Sequence, residues 1–190
     1  MFNIMMDPLP QEWNGKKIET SFRVGIQVSQ CLADDDLTIM ERISCAMELI
    51  FSDEKDIPQN YEEKTECIQW YINGWCTDNL KKSKSSIKLM DFDVDQWRIY
   101  AAFRDRYGIN LNTDDLHFWV FMGLLHNLEE CAYTRVIELR QKKIDPKLPA
   151  ETKKAIREAK QVYSLDRKEE EKSEQDAEAI ALFNQLRSRK

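Results

Sequence analysis

MDFDVDQWRIYAAFRDRYG, residues 90–108, decides the fold. Asp91, Asp93 and Asp95 alternate as the first three ligands of a calcium loop do. That loop also needs Gly at its sixth place, for a sharp turn, and a bidentate Glu at its twelfth. Gln96 and Ala102 stand there instead, so the chain could neither make the turn nor supply the strongest ligand. A helix start fits better. Asp93 lies three residues before Gln96, the spacing of a capping box for QWRIYAAFRDRY, and carboxylates at that end suit the positive pole of the helix dipole. Phe92 and Val94 alternate with the aspartates, which predicts apolar side chains inward and carboxylates outward. Trp97, Tyr100, Ala101, Phe103 and Tyr107 then form the buried side, and Gly108 ends the helix in a conformation that favours glycine.

The next stretch, INLNTDDLHFWVFMGLLHNL (residues 109–128), repeats that logic. Asn112 or Thr113 supplies a cap, Asp114 and Asp115 occupy the first turn, and an apolar run follows. Leu116, Phe118, Trp119, Val120, Phe121, Met122, Leu124 and Leu125 surround the helix on nearly all sides, so it belongs at the centre of the core.

Earlier in the chain, Asn14-Gly15 is the dipeptide of a type I′ hairpin turn, flanked by Trp13 and Ile18. From Ser21 the period changes, and a helix to about residue 33 turns Val24, Val28, Cys31 and Leu32 inward. Asp36 or Thr38 opens a second helix through residue 51, with Ile39, Met40, Ile43, Met47 and Ile50 on one face. A third, over about 61–75, carries Ile68, Tyr71, Ile72 and Trp75. KKSKSSIK, residues 81–88, has the composition of a solvated loop.

Beyond the central run, residues 129–142 form a helix with Val136, Ile137 and Leu139 apolar. Residues 151–165 form another, with Ile156, Ala159, Val162 and Tyr163 as its inner edge. RKEEEKSEQD has no apolar anchor. Ala179, Leu182, Phe183 and Leu186 then recur at helical spacing. The expected architecture is mainly α: a single compact helical domain of about six helices over residues 1–165, with a short N-terminal β-hairpin, followed by a charged, partly flexible helical tail over 166–190.

Composition narrows the function. The 190 residues include only five Gly and five Pro, which favours helices over sandwiches and Gly-rich nucleotide folds. A net charge of −6 argues against a nucleic-acid binder. The longest apolar run, residues 118–125, is far short of a membrane span. MFNIMMDPLP lacks the basic region of a secretory signal, and five cysteines without a CxxC pair fit reduced thiols. The expected location is the cytoplasm. His117 and His126, nine residues apart, fall on opposite sides of a helix and cannot share a metal. No GxSxG, HExxH, P-loop or GxGxxG is present. The expectation is a protein without catalytic residues, cofactor or metal.

Several stretches in order carry a resemblance: LP..WNGK.IETSFR (9–23), MELIF (47–51), IQWYINGW (68–75), a Lys-rich loop, DFDVDQWRIYAAFRDRYGINL (91–111), LHFWVFMGLL (116–125) and VIELR (136–140). Together, over about residues 8–165, they resemble the bacteriophage gene product fifteen family of Gram-positive siphophages and prophages. Phe118 stands where that family commonly has Trp, and the tail is not matched. The resemblance implies a gene in the tail morphogenesis region, beside the tape-measure gene, in the position of a tail assembly chaperone acting in the bacterial host cytoplasm. The implied partners are the tape-measure protein and the tail-tube protein, with Leu182, Phe183 and Leu186 as a candidate helix-in-groove edge. The alternative is a structural virion component, a tail-completion or connector protein.

Overall fold

The computed structural model describes residues 2–76 and 88–165, and within them the chain is mainly α with one short β-hairpin. Strand β1 (Glu12–Trp13) pairs antiparallel with β2 (Lys16–Lys17), Trp13 facing Lys16. Asn14 at φ 49° and Gly15 at φ 74° make the turn, the two positive values that a type I′ connection demands. Seven α-helices follow: α1 (Phe22–Leu32), α2 (Ile39–Ile50), α3 (Tyr61–Asn73), α4 (Phe92–Tyr107), α5 (Phe118–His126), α6 (Ala132–Gln141) and α7 (Ala150–Val162). The described residues fall into two compact units, one of residues 2–76 and 99–129, the other of 88–98 and 130–165. The boundary lies within α4. The Lys/Ser loop at 81–87 and the tail from 166 lie outside the described residues.

The first unit is built on aromatic rings. Phe121 stacks on Phe22 at 5.0 Å and on Phe103 at 5.1 Å, and Phe118 stacks on Tyr71 at 5.4 Å. Val28, Ala46, Met47, Ile50 and Cys67 fill the space around them and are fully buried. Trp119 is buried as its place in the apolar run predicts, and its indole N–H donates to the Tyr71 carbonyl at 2.8 Å. That bond removes the cost of an unpaired buried donor. Two glycines allow this packing. A Cβ on Gly25 of α1 would lie 2.0 Å from the Phe118 ring, and one on Gly74 would lie 2.1 Å from the Trp119 ring.

Helix ends follow local chemistry in three cases. Thr38 caps α2 in a full capping box with Glu41, Ser21 caps α1, and Gly108 closes α4 at φ 69°. Two expected starts are corrected. Helix α4 begins at Phe92, with Asp91 and not Asp93 as the cap: Asp91 Oδ1 accepts from the N–H groups of Asp93 (2.8 Å) and Val94 (2.9 Å). Its buried stripe is Asp95, Ile99, Ala102 and Phe103, at helical spacing. Asp95 therefore points inward, and Trp97, expected inside, is 76% exposed. Helix α5 begins at Phe118, not near Thr113, because residues 110–114 close a turn of their own around Asn110. Ile39 and Met40 are likewise exposed, since the inward face of α2 starts one turn later, at Ile43.

Among its described residues the second unit has little apolar core. Tyr133, Val136 and Leu165 are buried. Helix α7 buries none of its residues completely; Ile156 and Ala159 are half-covered, whereas Val162 and Tyr163, expected on the inner edge, are 62% and 36% exposed. Polar bonds hold the hairpin of α6 and α7 instead, Lys160 Nζ donating to the Lys142 carbonyl at 2.7 Å.

Candidate functional site

The alternating aspartates divide their work. Asp91 caps α4. Partial burial opposes its charge, but the Val94 N–H and the Lys88 ammonium at 3.0 Å outweigh it and hold the carboxyl below the usual carboxylate range. Asp93 is exposed. Asp95 is wholly buried and meets Arg140 of α6 in a two-pronged pair, Nη1 to Oδ2 at 2.6 Å and Nη2 to Oδ1 at 3.0 Å. Arg98 adds a bond to Oδ1 at 2.9 Å, and the Asp91 N–H reaches Oδ2 at 3.2 Å.

Arg140 does more than neutralise Asp95. Its Nε donates to the Tyr163 carbonyl and its Nη1 to the Leu89 carbonyl, both at 2.8 Å. One guanidinium thus joins the segment before α4, the first turns of α4 and the end of α7. Planar, permanently charged and five-donored, Arg suits this junction as Lys would not. Arg98 lies over the Tyr163 ring at 5.4 Å. Nearby, burial first and then the Asp95 charge push the Tyr133 hydroxyl up to about 12. A readable signal existed: Arg140 shares a helical stripe with Tyr133 and Val136, and a cation in an apolar stripe requires a buried anion.

In the first unit the segment before α5 is tied to the start of α1. Phe118 N–H donates to the Thr20 carbonyl at 2.7 Å and Phe22 N–H to the Leu116 carbonyl at 2.8 Å, around a Ser21–His117 bridge. Arg23 reaches Asp115 at 3.0 Å and the carbonyls of Leu111, Asn112 and Asp114 at 2.9 to 3.3 Å. His117 caps α5, its Nδ1 accepting the Trp119 N–H at 3.1 Å while Nε2 lies 2.9 Å from the Pro10 carbonyl. This pair of partners assigns the proton to Nε2. Burial lowers the pKa of His117 despite the Pro10 carbonyl, which favours the cation.

His126, at the end of α5, lies against Trp75 with ring centroids 4.5 Å apart. Cys31, Cys45, Cys67 and Cys131 are thiols outside any disulfide. Burial pushes Cys67 up to about 12, and burial with a hydrogen bond to Cys45 pushes Cys31 equally far, so both favour the unreactive thiol. Among the described residues, no group of three or more His, Cys, Asp and Glu is placed to hold a metal ion, and no helix is long and apolar enough to cross a membrane. The candidate partner edge, Leu182, Phe183 and Leu186, lies outside the described residues.

These polar clusters act as joints of a helical body, and the protein class they define is a mainly α one whose charged groups brace its turns. Residues 5–165 match the family model for the Bacteriophage Gp15 protein, and the chain belongs to that family. No curated protein sequence and no solved structure gives a match to the chain.

Proposed function

We propose that this phage protein acts by binding during virion morphogenesis, as a tail assembly chaperone for the tape-measure protein. The observation that carries the reading is membership of the Bacteriophage Gp15 family over residues 5–165, together with the order of motifs that resembles proteins encoded beside the tape-measure gene. The side chains best suited to chemistry support a role other than catalysis. His117 caps a helix, Asp95 and Arg140 neutralise each other, and Cys31 and Cys67 are buried. A tape-measure chain exposes long apolar helix faces, and an acidic binder of net charge −6 would keep such a complex soluble and its own copies apart. Leu182, Phe183 and Leu186 are the proposed contact edge.

Coexpression with the tape-measure protein tests this. The expected result is a soluble complex that copurifies; a tape measure equally insoluble with and without this chain would refute it. Mass spectrometry of purified particles separates the chaperone, which should leave, from a structural virion component, which should remain.

A further inference from the structure

Charge is unevenly spread over this acidic chain. Residues 142–160, from the end of α6 through α7, hold seven cations against three acids. Among the described residues only Lys154 of those cations forms an ion pair, with Glu158 at 3.8 Å. Residues 34–66, from the loop before α2 into α3, hold eleven acids against three cations, and ten of the eleven acids are exposed. Among the described residues only Asp35 of those acids forms an ion pair, with Arg42 at 3.0 Å. A like face can cover neither surface, because α7 repels a second α7 and α2 a second α2. The two unlike faces attract.

Their spacing also agrees. The exposed row on α2 is Glu41, Ser44 and Glu48, at intervals of three and four. On α7 the cations Lys153, Arg157 and Lys160 recur at four and three. Laid antiparallel, the rows match position for position: Glu41 meets Lys160, Ser44 meets Arg157 and Glu48 meets Lys153, with about 10.5 Å between the outer pairs. Lys160 Nζ is bonded to the Lys142 carbonyl at 2.7 Å, so Lys142 and Lys143 lie at the end of α7 that meets the aspartates 34–36. Lys147, just before α7, falls toward Asp53 and Glu54 just after α2. The antiparallel direction opposes the two helix dipoles. Met40 adjoins the acidic row and is 58% exposed, which gives the contact an apolar component.

We infer that the basic face of α7 is a self-association surface, and that its occupant is the acidic α2 face of a second copy of this chain, laid antiparallel. The net charge of −6 opposes the encounter at long range, and each exposed ion pair contributes little. Dilute copies therefore stay apart and concentrated copies pair. One consequence rests on the tape-measure reading: copies bound side by side along one apolar chain are concentrated enough to pair. The pairing itself stands without that reading and is tested with no partner present.

Sedimentation velocity of the full chain at low salt should show reversible association that grows with protein concentration. Raising salt from about 50 to about 500 mM should weaken it roughly tenfold or more. A monomer at every soluble concentration overturns the proposal. Glu48→Lys with Glu54→Lys, and separately Lys153→Glu with Arg157→Glu, should each abolish association. The first pair moves the net charge from −6 to −2, which relaxes general repulsion, so a loss there reports the face and not the total charge. An equimolar mixture of the two variants should associate again, since each supplies the face that the other lacks. No recovery, with both variants keeping the circular dichroism of the parent chain, overturns the proposal. In the parent chain, zero-length carbodiimide crosslinking should join Glu41 to Lys160 and Glu48 to Lys153 in the dimer fraction. The same links confined to the monomer would make the chain its own occupant and equally overturn it.

Discussion

Replacing Asp95 by Asn tests whether the second unit depends on one ion pair. Both carboxylate oxygens accept hydrogen bonds: Arg140 at 2.6 and 3.0 Å, Arg98 at 2.9 Å and the Asp91 N–H at 3.2 Å. An Asn side chain keeps the shape but replaces one oxygen by an NH2 group. In either orientation that group faces a donor, so at least one prong of Arg140 is lost. The guanidinium, whose side chain is 4% exposed, cannot deprotonate and remains as a buried charge with only carbonyls for company. Breaking a buried pair in this way costs about 3–5 kcal/mol, against a typical domain stability of about 5–15 kcal/mol. Arg140→Met should fall at the lower end of that range, because Arg98 remains on Asp95.

Combining Asp95→Leu with Arg140→Met removes both charges and should restore part of the loss, leaving roughly 1–3 kcal/mol for the Leu89 and Tyr163 carbonyls that lose their donor. Urea unfolding of Asp95→Leu, Arg140→Met and the double variant gives the coupling, expected at about 2 kcal/mol or more. Amide exchange should localise the Asp95→Asn loss to residues 88–98 and 130–165. Single losses below about 1 kcal/mol that simply add would show that the pair is solvated and would refute the reasoning.

Gly25→Ala places a methyl group 2.0 Å from the Phe118 ring, an overlap expected to cost about 1–3 kcal/mol and to lower the melting temperature by several degrees. His117 gives a pH dependence of known sign. Its pKa in the folded protein is below the free value, so the unfolded chain takes up the proton first; the stabilisation is complete above the free value near 6.5 and is lost as pH falls through the folded pKa. The slope is at most about 1.4 kcal/mol per pH unit for one proton, and denaturation midpoints between pH 7.5 and 5 should lose this component in His117→Asn, which keeps a capping acceptor. Arg23→Met should speed amide exchange at Asn112, Thr113 and Asp114, whose turn Arg23 braces, while changing global stability by less than about 1 kcal/mol because the Arg23–Asp115 pair is largely exposed.

The sequence was most legible where the deciding chemistry is local. Asn14-Gly15 needs nothing beyond itself to specify positive φ, and Thr38 with Glu41 closes a capping box within one turn. It was misleading where two local readings compete. DFDVDQ offers capping oxygens at both Asp91 and Asp93, and the choice falls to Asp91 because Asp95 must then face Arg140, 45 residues away. Likewise NLNTDD has the composition of a helix start, but Ser21, 94 residues distant, bonds to Asp115 and the adjoining backbone is drawn into a bridge with His117. Neither partner can be weighed from its own neighbourhood. The tail that bears Leu182, Phe183 and Leu186 stays an inference from spacing and charge.

Both misread starts sit at ionic joints, and the two units use such joints differently. In the first, Arg23 braces a turn beside stacked rings that would hold the helices together without it. In the second, only three apolar side chains among the described residues, Tyr133, Val136 and Leu165, are buried between two helices and the start of a third. Nonspecific collapse could bury those three side chains in several arrangements. The planar fork of Arg140 satisfies Asp95, Leu89 and Tyr163 together in only one. Among the described residues of this unit the ion pair therefore supplies a directional constraint that the buried apolar side chains do not.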